Sequence, residues 1–303
     1  VLDYPRDATG AAIINEARND ENRIIAQLQL GFMKAHNRLV SSGLSFEQAR
    51  TTLVTAYQTA VMTDFLPHVL SPVDPKIVQK LDLKKQGTPV EFSVAAYRFG
   101  HSLVRRAYVI NEKSGKVQVF SLTAPDLRGG SPLPANRVIH WGEFFADIPL
   151  VDTDGNIINL SRRVDSLISS SLFVLPIPGA AATGSNVLAF RNMSRSVFYD
   201  LPSGQEVAKY LGFTPLQLNL GPGFETETPL WFYILKESEL TQNGERVGPV
   251  GSAIISAGFK AALANGQKAI KGKPDAAQTA LLTGPDGVIT ISDILVFGGV
   301  ASR

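Results

Sequence analysis

Ile24, Ile25, Leu28, Phe32, Leu39 and Val40 recur at mostly helical spacing between residues 22 and 41, and Ser41-Ser42-Gly43 ends the run. An apolar stripe of this kind has to be buried against another element, so it commits the early chain to a core-facing helix. Ser45 stands three residues before Gln48 in the capping-box pattern, and Leu53, Val54, Tyr57, Val61 and Phe65 carry a second helix to Pro67. The two helices are expected to pack as a pair. Beyond a connector of Pro and Lys residues at 71–89, Val90 to Ala107 reads as a third helix holding Tyr97, Arg98, Phe99, Gly100 and His101.

Residues 108–160 change character. Tyr108-Val-Ile-Asn, Lys116-Val-Gln-Val-Phe and Val151-Asp-Thr-Asp-Gly-Asn-Ile-Ile are short extended pieces around glycine turns, a loop-rich excursion. Helical pattern returns at 161–174, 185–198, 203–211 with Ser203 as the cap, 228–240 and 248–264. With no internal repeat, the expectation is a mainly α fold with minor β hairpins, one domain over residues 1–303.

Composition removes several classes of function. Hydrophobic residues at 44% against 18% charged describe a packed globular chain. The balance of 29 Lys and Arg against 27 Asp and Glu is 29 − 27 = +2, with no run of five like charges, so a general nucleic-acid binder is not expected. Cysteine is absent, which excludes disulfides, thiol nucleophiles, Fe–S clusters and cysteine zinc sites. Pro176, Pro178 and Asp293 interrupt the longest apolar stretches short of the roughly 18 residues a spanning helix needs, so no transmembrane segment is expected. The chain opens at Val1 without the pattern of a signal peptide, which implies a segment upstream that was removed or lies outside it.

Only four histidines occur: His36, His68, His101 and His140. A lone histidine is usually structural. His101 differs because Arg98 precedes it by three residues, on one helical face, and Gly100 lets a flat group approach the backbone. A haem-ligating imidazole has neighbours of this kind, since the propionates demand a cation, but on spacing alone the default is a helix-packing glycine and a surface arginine. Arg18 and Glu21 lie one turn apart at a helix start, where the plain reading is a capped N-terminus with an ion pair. Asp152-Thr-Asp-Gly-Asn156 lacks the phasing and closing glutamate of a calcium loop, and Ser114-Gly-Lys116 lacks the upstream glycine of a phosphate loop; both read as turns. Asn159-Leu-Ser161 and Asn192-Met-Ser194 are glycosylation sequons by pattern, the second inside a helix, which argues against its occupancy.

Taken in order, several segments resemble the animal-type haem peroxidases of the peroxidase-cyclooxygenase superfamily, and most closely their bacterial members. Ala17-Arg-Asn-Asp-Glu-Asn22 followed by Leu30-Gly-Phe-Met-Lys-Ala-His-Asn-Arg-Leu39 is similar to the family's distal-arginine segment and its H-N-R helix. Ala96-Tyr-Arg-Phe-Gly-His-Ser102 resembles the proximal signature, and Leu188-Ala-Phe-Arg-Asn-Met-Ser-Arg195 with Leu201-Pro-Ser-Gly204 the segment that buttresses it. Thr228-Pro-Leu-Trp231 and Arg246-Val-Gly-Pro-Val250 continue the pattern, so the likeness runs over about residues 3 to 265.

That resemblance implies haem b, with His101 as proximal iron ligand and Asn192 accepting the other ring N–H. It implies Arg98 and Arg195 as propionate partners, Arg18 as the cation that stabilises charge on the departing peroxide oxygen, and Glu21 as the site of an ester bond to the haem periphery. The implied partners are hydrogen peroxide and a small organic, halide or pseudohalide electron donor, and a secreted or periplasmic location accords with them. Asn22 stands where some members carry a haem-linked methionine, so that link is not expected.

The family's distal histidine and calcium loop lie upstream of the arginine segment, and no histidine precedes Arg18. The resemblance therefore implies that the general base and the calcium site are not in this chain, and that it associates with a cleaved N-terminal segment or is a truncated relative. The fatty-acid dioxygenase branch places a radical-forming tyrosine three residues before the proximal histidine. Here that position is Arg98, with Tyr97 displaced to four, which favours a peroxidase. A haem-binding scaffold of the same fold without catalysis is the third reading.

Overall fold

The computed structural model describes residues 2–81, 87–121, 123–148, 159–177, 185–270 and 272–303. In chain order its α-helices are α1 (Arg23–Ser41), α2 (Phe46–Ala60), α3 (Leu66–Val69), α4 (Pro75–Lys80), α5 (Val90–Val94), α6 (Leu188–Phe198), α7 (Gly204–Leu211), α8 (Leu230–Gln242), α9 (Pro249–Ala269), α10 (Ala276–Ala280) and α11 (Ile291–Phe297). Among the described residues, one antiparallel hairpin pairs β1 (Ala107–Val109) with β2 (Lys116–Gln118), with Tyr108 opposite Val117. The mainly α expectation with minor β structure is met. Two compact units emerge: residues 1–64, 106–160 and 270–303 form the first, and residues 65–105 and 161–269 the second.

In the first unit α1 and α2 pack as a pair. Asn22 caps α1 by accepting from the Ile24 N–H, and the Ser45–Gln48 capping box is present at α2. Ala35, Ala49, Ala56 and Ala60 let the helix backbones close on Leu39 and Leu53, with Leu282, Ile294 and Phe297 completing the core. A Cβ on Gly31 would stand 2.4 Å from Leu295 Cδ2, so glycine is what brings α1 against α11. The short α10 and α11 have no counterpart in the sequence reading, because five and seven residues are too few to show a helical period.

The second helix does not run unbroken to Pro67. It ends at Ala60, and a π-helical turn over Val61–Phe65 leads into α3. Pro67 lacks the N–H that would bond the Thr63 carbonyl, and the hydroxyls of Thr59 and Thr63 bond back to the carbonyls four residues earlier, a contact that bends helices.

In the second unit Leu230, Tyr233, Ile234 and Leu235 of α8 are fully buried, as are Val250, Ile254 and Ile255 of α9. Gly204 opens α7 with its Cα so close to the Tyr233 ring that a Cβ would lie 1.9 Å from Cγ. Ser203 forms a second capping box with Glu206. The expected helix over 161–174 is absent apart from a 3₁₀ turn at Ser170–Phe173. Asp165 accepts from the Leu167 N–H, Ser166 donates to Glu239, and the Val164 N–H bonds the Gly244 carbonyl, so local and long-range partners take the groups a helix would have used. The extended piece and acidic turn expected at 151–158 lie outside the described residues. Among the described residues no helix is long and apolar enough to cross a membrane.

Candidate functional site

The expected third helix over 90–107 is two elements. α5 stops at Ala95, whose φ of −130° and ψ of −70° break the spiral, and Ala96–His101 then winds as a 3₁₀ helix. Its bonds reach three residues: Arg98 N–H to Ala95, Ser102 N–H to Phe99 and Leu103 N–H to Gly100, with Ser102 Oγ taking the Phe99 carbonyl as well. This tighter winding keeps the relation the sequence suggested, because side chains at i and i+3 eclipse in a 3₁₀ helix, and Arg98 and His101 therefore share one side. Phe99, on another side, is buried in the core. Trp231 of α8 donates from Nε1 to the Arg98 carbonyl at 3.1 Å, tying the turn to the buried side of that helix.

Asn192 is the one buried residue of α6, at 1% exposure, and its Nδ2 lies 2.8 Å from His101 Nδ1. Its Oδ1 is buried without a partner. Arg195 follows one turn later on α6, and both Arg195 Nε and Arg98 Nε are buried and unpartnered. Burial above all, and then the repulsion of Arg195 and Arg191, pushes the Arg98 guanidinium below its ordinary value. Two arginines, Arg98 and Arg195, thus stand beside one imidazole, and among the described residues neither forms an ion pair. Burial first, then the charges of Arg98 and Arg195, pushes the His101 imidazole down to about 4, so it is neutral at physiological pH. Neutral imidazole is the form that ligates a metal. Gly100 has negative φ and a Cβ there would meet no atom within 4 Å, so neither backbone conformation nor the protein's own packing demands glycine.

The chemistry of this donor set fits an iron porphyrin. One neutral imidazole can bind the metal, unpartnered guanidinium N–H groups can receive carboxylates, and the open flank at Gly100 admits a flat face.

Arg18 and Glu21 belong to the first unit, on the 3₁₀ turn Ala17–Asp20 and its C-cap. The ion pair between them that their spacing suggested is not formed. Glu16 instead caps the turn and takes Arg18 Nε and Nη2, both at 2.8 Å, leaving the Arg18 side chain 77% exposed. Glu16, the N-cap, accepts from the Arg18 backbone N–H and so meets the Arg18 guanidinium, whereas Glu21 lies at the C-cap, beyond the turn. His36 and His68 lie on α1 and α3, and His140 precedes a 3₁₀ turn at Trp141–Glu143. No group of three or more metal-ligating side chains occurs among the described residues.

Sequence reading gave no role to Arg191, Trp231 or Glu237. Glu237 is buried on α8 and accepts the Val250 and Gly251 N–H groups at the start of α9; burial outweighs these bonds and pushes its carboxyl up to about 7. Its backbone partners are invisible in sequence, whereas Arg191 beside Asn192 offered a visible if unspecific signal.

Residues 6–128 match the family model described as animal haem peroxidase, a span that holds Arg18, Glu21, Arg98 and His101 and excludes Asn192 and Arg195. Among solved structures, peroxidase A from Dictyostelium discoideum is similar with a TM-score of 0.58 and 19% identity, over 99% of this chain and 63% of that one. The chain therefore spans less than two thirds of that relative's length. Comparison with curated proteins gives no significant match.

Proposed function

We infer the activity of this chain from what it resembles: its fold is of the animal-peroxidase type, and its residues 6–128 match the animal haem peroxidase family. The reading is a haem-dependent peroxidase that reduces hydrogen peroxide and oxidises a small organic, halide or pseudohalide donor. The observation that carries it is the 2.8 Å contact between Asn192 and His101 beside unpartnered buried nitrogens of Arg98 and Arg195.

Each residue has work that its chemistry supports. His101 offers Nε2 to the iron when Nδ1 carries the proton. Turning the Asn192 amide by half a turn sets Oδ1 at the place of Nδ2, where it accepts that Nδ1–H and raises the basicity of the ligating nitrogen. Arg98 and Arg195 donate to the propionates, which also relieves the repulsion between the two guanidinium groups. Gly100 keeps the backbone low enough for a flat group to lie against it. Bound haem would supply an iron that accepts electrons from the donor and passes them to peroxide.

By the resemblance, Arg18 is the cation that stabilises negative charge developing on the departing oxygen, and the exposure of its pair with Glu16 makes that partner easy to exchange. Glu21 is the carboxylate for an ester to the haem periphery. Proton transfer from peroxide needs a general base, the part that the resemblance gives to a distal histidine. The domain is read as residues 1–303.

Titrating the purified chain with ferric haem tests the reading. A Soret band with a stoichiometry of one, lost in His101→Ala at unchanged far-ultraviolet circular dichroism, is the expected result. Equal binding by the variant would remove His101 from the site.

A further inference from the structure

The turn that carries Arg18 and Glu21 is anchored by a guanidinium that neither residue touches. Arg6 spends all five of its N–H donors. Nη1 and Nη2 hold the two carboxylate oxygens of Asp20 at 2.8 and 2.9 Å, Nε and Nη2 reach Asp3 at 2.8 and 3.1 Å, and Nη1 also bonds the Gly10 carbonyl at 3.0 Å. Asp20 is 7% exposed and stands in the chain between two exposed residues, Arg18 and Glu21. The backbone around it is held as well. Tyr4 Oη donates to the Asn19 carbonyl, and the Gly129 N–H donates to the Glu21 carbonyl at 3.0 Å. A Cβ on Gly129 would lie 1.8 Å from the Asp20 carbonyl oxygen, so only glycine permits that approach.

A salt bridge that merely solvates a surface carboxylate uses one or two donors. Here a bidentate fork fixes the one carboxylate buried within the turn, and so ties down the turn from which Arg18 and Glu21 project. We propose that Arg6 is a positioning residue for Arg18 and Glu21, acting through Asp20. The proposal rests on the role given to Arg18 above. Without Arg6, the Asp20 carboxylate loses both donors that hold it and swings to water, and the turn keeps only its backbone anchors at Tyr4 and Gly129. Arg18 then keeps only its exposed contact with Glu16.

Azide binding to the full haem-loaded chain tests this without turnover, because, on the role given to Arg18, an anion on the iron reads that cation. Wild type, Arg18→Gln, Arg6→Gln and the double variant are titrated by the shift of the Soret band. Each single variant should bind azide about tenfold more weakly, the effect of losing one charge-assisted hydrogen bond, and the double variant should bind no more weakly than Arg18→Gln. Arg6→Lys, which keeps the charge and loses the fork, should fail to restore affinity. Should Arg6→Gln not fold, Asp20→Asn, nearly isosteric with the native residue, takes its place with the same expectation. Wild-type affinity in Arg6→Gln alongside a weakened Arg18→Gln overturns the proposal, as does an additive double variant. If Arg18→Gln itself binds azide as wild type does, the role of Arg18 falls and the proposal falls with it.

Discussion

Protonating His101 should destabilise the folded chain, and by an amount that can be stated. Its surroundings, burial first and then Arg98 and Arg195, move its proton affinity from an ordinary 6.5 down to about 4. That difference corresponds to roughly 3 kcal/mol of preference for the neutral ring. In the unfolded chain the ring takes its proton near 6.5, so between 6.5 and about 4 the unfolded state binds more protons than the folded one. The stability associated with a neutral His101 is therefore complete above 6.5, declines as pH falls, and is fully lost below about 4. Carboxylates also titrate in this window, and a single curve would mix their effects with that of His101. Comparing haem-free wild type with His101→Gln by urea denaturation at a series of pH values cancels them, since both proteins keep the same acids. Wild type should lose roughly 3 kcal/mol more than the variant over the window. Arg98→Gln, which removes one of the two cations, should narrow the difference. Parallel curves for wild type and His101→Gln would refute the reasoning, because they would mean that the ring is exposed enough to charge freely.

Gly100→Ala should leave the melting temperature within a degree or two while weakening haem binding by about tenfold or more, since its Cβ meets no protein atom but would occupy the open flank beside His101. Gly204→Ala should do the reverse, with over-packing against Tyr233 costing about 1–3 kcal/mol in denaturant titration. Glu237 has a carboxyl pushed up to about 7, so the folded state holds its proton more tightly than the unfolded state; its contribution is present below the ordinary 4.5 and is lost as pH rises through 7. Relative to Glu237→Gln, wild type should therefore lose stability over that rise, and equal slopes would show that the backbone N–H groups of Val250 and Gly251 compensate its burial.

Much of the helical frame was legible because its signals are local. The capping box at Ser45 and the cap at Ser203 depend on residues within one turn and form where expected; α1 forms too, but it buries Ala26, Leu30, Gly31, Ala35 and Leu39 and leaves Ile25 and Val40 of the expected stripe exposed. The neighbourhood of His101 was legible for a related reason, since i and i+3 share a side in a 3₁₀ helix as they nearly do in an α-helix. What failed depended on distance. The break at Ala95 and the missing helix at 161–174 are imposed by partners far along the chain, such as Gly244 for Val164 and α8 for the His101 turn. Arg18 illustrates the remaining kind of miss: spacing pairs it with Glu21, but Glu16, the N-cap that accepts from the Arg18 N–H, takes its guanidinium. Arg6, fourteen residues from Asp20, carries no sequence signal that would join the two.

The central claim is that His101 is the iron ligand, and resonance Raman spectroscopy of the ferrous haem-loaded chain addresses it most directly. An iron–histidine stretching band should be present in wild type, absent in His101→Gly, and restored when free imidazole fills the space the side chain leaves. A band that persists in His101→Gly without added imidazole would contradict the account, since another residue would then be holding the iron.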